Sequence, residues 1–236
     1  MNNFCFSIIK QVKIYFFLLI AGPFAACGQQ SSQMNHTKTF DEMMQTKKSD
    51  TMSDNKQTNK HDTATLAAGC FWCVEAQFKE LKGVEKVTSG FTGGTAPYPS
   101  YEEVCTGTTG HAEACNIIYD PSVISYDALL AAFFVAHDPT QLNRQGADVG
   151  TQYRSAIFYH NAEQKRLAEY YINKLNEEKA YPNPIVTQVQ PFTVFYKAEN
   201  YHQDYYSRNG NAPYCHLVIK PKVDKFEKVF KDKLKQ

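Results

Sequence analysis

The chain lacks a charge excess: 25 basic against 24 acidic side chains leave a formal charge of +1 over 236 residues. Nothing in that balance points to a nucleic-acid partner or to strong steering of acidic substrates, and no nucleic acid is expected. Seven cysteines are an odd number, too few and too scattered for a disulfide scaffold. Tryptophan occurs once, at Trp72. No internal repeat is visible, which excludes a solenoid or propeller. The apolar run Ile14 to Ala21 is too short to span a bilayer comfortably. Acidic residues are absent before Asp41.

That acid-free start, with Lys10 and Lys13 ahead of the apolar run, has the make-up of a signal peptide. The following Phe24-Ala25-Ala26-Cys27 resembles a bacterial lipoprotein processing site, with Cys27 as the lipidated residue; an ordinary secretory signal with a chance cysteine is the alternative. The mature protein is expected outside the cytoplasm, in the periplasm or cell envelope, held to the membrane by the lipid alone. Residues 28–62 are dominated by Gln, Ser, Asn, Thr, Lys and Asp and lack periodicity, so they read as a disordered tether. Residues 63–236 alternate strand and helix patterns without a linker, which predicts one α/β domain.

Within it, Thr63 to Ala68 reads as a buried strand, Val74, Phe78 and Leu81 as one face of a helix ending at Gly83, and Val84 to Phe91 as a strand. Ala112 to Tyr119 is a further strand. Ser125 caps a helix to His137, and a long polar loop runs from there to Tyr153. Ala156 to His160 is a strand, and Asn161 caps a helix reaching Lys179. Val186 to Gln190 and Phe192 to Tyr196 read as strands, Tyr201 to Arg208 and Pro221 to Leu234 as helices.

The chain is organised around Gly69-Cys70-Phe71-Trp72-Cys73. Cys70 falls at a strand-to-helix turn, where the helix dipole favours a thiolate; a buried, inert thiol is the competing reading. Three further runs carry chemistry. In Gly110-His111-Ala112-Glu113-Ala114 a carboxyl begins a strand, either on the surface or buried as a proton donor. Gln145 to Ser155, with Asp148 and Tyr153, is a polar loop that either lines a site or makes plain turns. Asn211 to Cys215 places a second thiol in a late segment, expected to be mobile.

Together with Gly90 to Gly94, Pro99-Ser100-Tyr101, Val104 to Gly107, Thr109 to Glu113, His137 to Thr140, Tyr201-His202-Gln203 and Tyr214-Cys215, these runs resemble, in order, the A-type peptide methionine sulfoxide reductases. The resemblance covers about Thr63 to Cys215. It implies an α/β (α+β) two-layer sandwich, a ferredoxin-like plait with a mixed sheet, helices and long coil. It implies that Cys70 attacks the sulfur of methionine-S-sulfoxide, that Glu113 supplies a proton, and that Tyr101 and Tyr153 donate to the departing oxygen. Asp148 would organise the site, and Phe71, Trp72 and Tyr214 would bind the substrate. Cys70 would become a sulfenic acid. Cys215 is the favoured resolving thiol, and Cys73, where many members have glycine, the alternative or a relay. Partners implied are oxidised proteins and peptides and a thioredoxin-type reductant, with no bound cofactor or metal; a monomer is expected. Phe91 and Tyr98 also depart from the commoner pattern and are expected to alter loop packing only. Cys105 and Cys115 read as core thiols. Rival readings are a thioredoxin-like exchanger built on Cys70-x-x-Cys73, a zinc module using Cys70, Cys73, His111 and Cys115, and a surface-tethered binder of oxidised peptides.

Overall fold

The computed structural model describes residues 61–236, so the leader, Cys27 and nearly all of the tether lie outside the described residues. In chain order the elements are β1 (Asp62–Ala68), α1 (Phe71–Phe78), β2 (Val84–Thr92), α2 (Tyr101–Cys105), β3 (Ala112–Tyr119) and α3 (Tyr126–Ala136). There follow β4 (Arg144–Gln145), β5 (Asp148–Val149), β6 (Ser155–Tyr159), α4 (Ala162–Glu177), β7 (Gln188–Pro191), β8 (Phe195–Lys197), α5 (Tyr205–Arg208) and α6 (Lys220–Phe230). The main sheet has the order β7-β6-β1-β3-β2-β8, with β6 and β7 parallel and the other neighbours antiparallel. Its inner part, β1-α1-β2-β3-α3-β6, is the split βαβ arrangement of a ferredoxin-like plait, as expected.

The period of two along each strand decides what faces the helices. On β3, Cys115, Ile117 and Tyr119 enter the main core, while Ala112 and Ala114 face the other side with Ala67, Ala156 and Phe158. Glu113 shares the parity of Cys115. The alternation therefore points its carboxyl into the helical layer rather than to solvent. Small alanines on the opposite face let Phe192 and Phe195 pack close over the sheet.

Several boundaries differ from the sequence expectation. Asp62 already belongs to β1, because its carboxylate accepts from the Thr63 N–H and the Tyr119 hydroxyl. Helix α1 stops at Phe78, short of Leu81, which instead bridges to Leu234. The polar loop carries the small β4–β5 hairpin and a 3-10 turn, Thr151–Tyr153. The predicted 201–208 helix is split, since Asp204 adopts φ +56° between a 3-10 turn and α5. Cys105 is exposed rather than a core thiol, because α2 buries Val104 and turns its last residue outward. Phe91 is fully buried in the core on β2, not in a loop.

Asp204 is held by a buried acid. The Glu75 carboxylate on α1 accepts the Asp204 N–H at 2.9 and 3.0 Å, and Lys79 pairs with the Asp204 carboxylate. Burial raises the Glu75 carboxyl to about 7. The folded protein therefore keeps a proton that the unfolded chain has lost between about pH 4.5 and about pH 7, and stability from this group falls as pH rises through that window. In Glu75→Gln, denaturation midpoints followed across this range should fall less with rising pH than in the wild type; parallel curves would refute the assignment.

Candidate active site

Gly69 makes the turn from β1 into α1 with φ +86°, and a Cβ there would lie 2.6 Å from the Gln145 Cβ. Both facts demand glycine. Gln145 is itself clamped by the 137–140 run: its amide donates to the Asp138 carbonyl at 2.9 Å and accepts the Asp138 N–H at 3.2 Å. Cys70 is thereby fixed at the N-cap of α1, 5% exposed.

The first N–H of α1, that of Phe71, donates to the Glu113 Oε2 at 3.0 Å. Glu113 is 1% exposed, and burial, reinforced by Cys70 nearby, pushes its carboxyl well above the usual carboxylate range. It is thus held as an acid beside Cys70, with the alternation of β3 and the helix N-terminus fixing its position. The helix end serves both groups: the Phe71 N–H goes to Glu113, while the Cys73 N–H, with the Tyr214 hydroxyl, favours the ionised Cys70 sulfur. Burial, with Cys73 adjacent, raises the Cys70 thiol instead of lowering it, contrary to the expectation of a resting thiolate. Cys73 is lowered, first by a hydrogen bond from Cys70 and then by the Lys222 ammonium.

Tyr101 opens α2 behind a Ser100 capping box, its N–H donating to Glu199 at 3.0 Å. Tyr153 ends the 3-10 turn. Both phenols are raised, first by burial, then at Tyr101 by a hydrogen bond with Cys105 and at Tyr153 by the Glu113 carboxyl, so both stay protonated and able to donate. Arg154 ties the Tyr153 turn to the loop before Glu113, donating to the Thr151 and Gly110 carbonyls at 3.0 Å each. Asp148 accepts the Tyr214 hydroxyl at 2.9 Å, so it sets that ring. Cys70, Cys73 and Cys215 share one apolar cluster with Ala76, Ile219 and Val223, flanked by Trp72, Tyr153 and Tyr214. Cys215 begins a π-helical segment, Cys215–Ile219, and is fully buried.

Trp72 is half-buried, stacked on Tyr205 at 3.7 Å and 8°, edge-on to Tyr214 at 5.7 Å, and its indole N–H donates to His202 Nδ1 at 3.2 Å. Phe71 lies deeper, against Phe91 and Tyr101. The sequence alone assigned no role to His202, Tyr205, Arg154 or Lys222; the Tyr201-His202-Gln203 run and the Gln145 to Ser155 run, which holds Arg154, were the available signals. His111 is engaged by backbone, with Nδ1 accepting the Gly94 N–H at 3.1 Å and Nε2 2.8 Å from the Ala96 carbonyl. Cys115 is a core thiol, donating to the Phe71 carbonyl at 3.5 Å. Among the described residues no group of three or more His, Cys, Asp or Glu side chains is arranged to hold a metal ion.

A buried thiol, a buried acid and phenolic donors converging on one spot define a thiol-dependent oxidoreductase. The family model for peptide methionine sulfoxide reductase matches residues 62–234. The chain is 56% identical to the peptide methionine sulfoxide reductase MsrA of Thermus thermophilus over 174 residues, 74% of this chain and 98% of that protein. It is 56% identical to the MsrA of Saccharolobus solfataricus over 174 residues, 74% of this chain and 97% of that one. Among solved structures, reduced Mxr1 from Saccharomyces cerevisiae aligns with TM-score 0.62 and 36% identity over 66% of this chain and 90% of that chain. Methionine sulfoxide reductase A of Corynebacterium diphtheriae aligns with TM-score 0.59 and 36% identity, covering 66% of this chain and 78% of that one. The chain belongs to the peptide methionine sulfoxide reductase family.

Glu113→Gln keeps an acceptor for the Phe71 N–H but removes the acid. Sulfoxide turnover by purified variant and wild type should differ by about 10²- to 10⁴-fold with little change in folding midpoint. Turnover within a few fold of wild type would remove Glu113 from the role of proton donor.

Proposed function

We propose that this chain reduces methionine-S-sulfoxide, chiefly in oxidised proteins and peptides, with Cys70 as nucleophile and Glu113 as proton donor. The observation that carries the reading is the Phe71 N–H to Glu113 contact, which sets a buried acid beside the Cys70 thiol. The Cys70 sulfur forms a bond to the sulfoxide sulfur while Glu113 gives its proton to the oxygen. Tyr101 and Tyr153 donate to that oxygen as its charge grows. The S–O bond of the substrate breaks, the oxygen transfers to the Cys70 sulfur as the bond between the two sulfurs breaks, and the substrate leaves as the thioether, reduced by two electrons, with Cys70 as the sulfenic acid. Trp72, steadied by Tyr205 and His202, and Tyr214, steadied by Asp148, form an aromatic wall suited to the S-methyl group, with Phe71 behind them.

The sulfenic acid then condenses with a second thiol, losing water. Cys215 takes this role on its motif match and its place in the same apolar cluster. A second reading, in which Cys73 closes the disulfide, is favoured by the Lys222 contact on its sulfur. An external thioredoxin-type dithiol reduces the product disulfide. The leader supports an extracytoplasmic, lipid-anchored protein that repairs envelope proteins.

Separated S and R sulfoxides offered with dithiothreitol test the reaction: wild type should turn over the S epimer alone, and Cys70→Ser neither. Equal turnover of R, or activity without Cys70, would contradict it. Peptide mapping after one turnover identifies the resolver, a Cys70–Cys215 bridge being the expected product and a Cys70–Cys73 bridge with Cys215 free the contrary one. Fractionation should find the mature protein in membranes; leader-intact protein in the cytosol would refute the anchor.

A further inference from the structure

Cys73 stands one helical turn from Cys70, its N–H donating to the Cys70 carbonyl at 3.1 Å, and its sulfur is buried. The side chain that reaches that sulfur comes from the far end of the chain. Lys222 on α6 places its Nζ 3.7 Å from the Cys73 Sγ. Its placement is fixed by backbone: the Gln77 amide on α1 donates to the Lys222 carbonyl at 3.2 Å, so α1 and α6 are tied beside the sulfur. The groups facing Cys73 are Cys70, Lys222, Asp148 and Tyr214. Of these only Asp148 opposes ionisation of Cys73, and its carboxylate is engaged by the Tyr214 hydroxyl.

The reaction leaves one proton without an assigned acceptor. Cys70 rests as a thiol, and Glu113 is already protonated, so neither can receive the proton that Cys70 must shed when it attacks. We infer that Lys222 is a positioning residue: seated on the Cys73 sulfur, it holds Cys73 ionised beside Cys70, and Cys73 takes the Cys70 proton as the Cys70 sulfur bonds to the sulfoxide sulfur. The step balances. Cys70 thiol, Cys73 thiolate, Glu113 acid and sulfoxide become Cys70 sulfenic acid, Cys73 thiol, Glu113 carboxylate and thioether. The proton from Glu113 leaves on the sulfenic oxygen, and the negative charge moves from Cys73 to Glu113. A lysine ammonium beside a thiolate is the ordinary means of ionising a cysteine near neutral pH. The Lys222 ammonium reaches the Cys73 sulfur and not that of Cys70, so it acts through Cys73. Whichever thiol later closes the disulfide, this role of Cys73 precedes it.

The inference rests on Cys70 being the attacking thiol, and its test is separable because it needs no sulfoxide. Ultraviolet thiolate absorbance of the fully reduced protein should titrate first in a single-thiol step below the ordinary range. Cys73→Ser should lack that step. Lys222→Met, which keeps the stem and removes the charge, should move it up by about one pH unit or more, and Lys222→Arg should leave it near wild type. The acid limb of kcat for S-sulfoxide should shift with it in Lys222→Met, a loss of about tenfold below the limb, while KM stays unchanged. A first step that survives in Cys73→Ser, or that does not move in Lys222→Met, overturns the inference. Should Lys222→Met fail to fold, the Cys73→Ser titration decides alone. Loss of epimer selectivity or of Cys70 dependence would instead defeat the reductase mechanism and leave the titration result standing.

Discussion

One hydrogen bond organises the molecule: the Phe71 N–H, first of helix α1, to the Glu113 carboxyl. An unpaired N–H at a helix start and a buried carboxyl at a strand start each need a partner, and each supplies it to the other. The bond also joins the two elements that carry the thiol and the acid. At Cys70 burial outweighs the Cys73 N–H and the Tyr214 hydroxyl, so its thiol is raised and rests protonated. The site is therefore charged with acid equivalents in its resting state. That suits a reaction whose difficult part is the departure of oxygen.

Around this bond the chain is drawn in from both ends. The 137–154 segment wraps the N-terminal side of α1, with Gln145 beneath Gly69 and Arg154 fastening the Tyr153 turn to the Gly110 loop. The segment after β8 closes the other side. Gln203 is anchored to Ser89 on β2 through both its amide atoms, at 2.9 and 3.1 Å, and Glu75 holds Asp204. These two anchors deliver His202 and Tyr205 to Trp72. Then the π-helical segment brings Cys215 into the cluster with Cys70, and α6, docked on α1 through Gln77, brings Lys222 to the Cys73 sulfur. The single tryptophan is thus held by residues about 130 positions away, so the substrate wall is a tertiary product of the late chain.

What the sequence made legible was local chemistry. The strand-to-helix turn at Gly69, the two asparagine and serine caps at Asn161 and Ser125, and the alternation along β3 all follow from neighbours within a few residues. The single α/β domain followed from the order of those elements, and the plait from the family resemblance. The roles of Glu113 and Tyr153 were readable only because several runs occurred in a family order. Lys222 and Glu75 were not readable at all: each is one charged residue in an amphipathic helix, and its partner is more than 120 residues away. The false continuous helix at 201–208 came from a pattern that cannot register the left-handed turn at Asp204. Cys105 was misplaced because a five-residue helix buries only one side chain, Val104, and the family run of Val-Cys says nothing of which faces out.

The central claim is that Glu113 rests as a neutral acid beside Cys70. Infrared difference spectra of the substrate-free, reduced protein, wild type minus Glu113→Gln, report it directly at neutral pH. A protonated carboxyl stretch assigned to Glu113, shifted by isotope labelling of glutamate, is the result predicted. An ionised carboxylate band in its place would contradict the account.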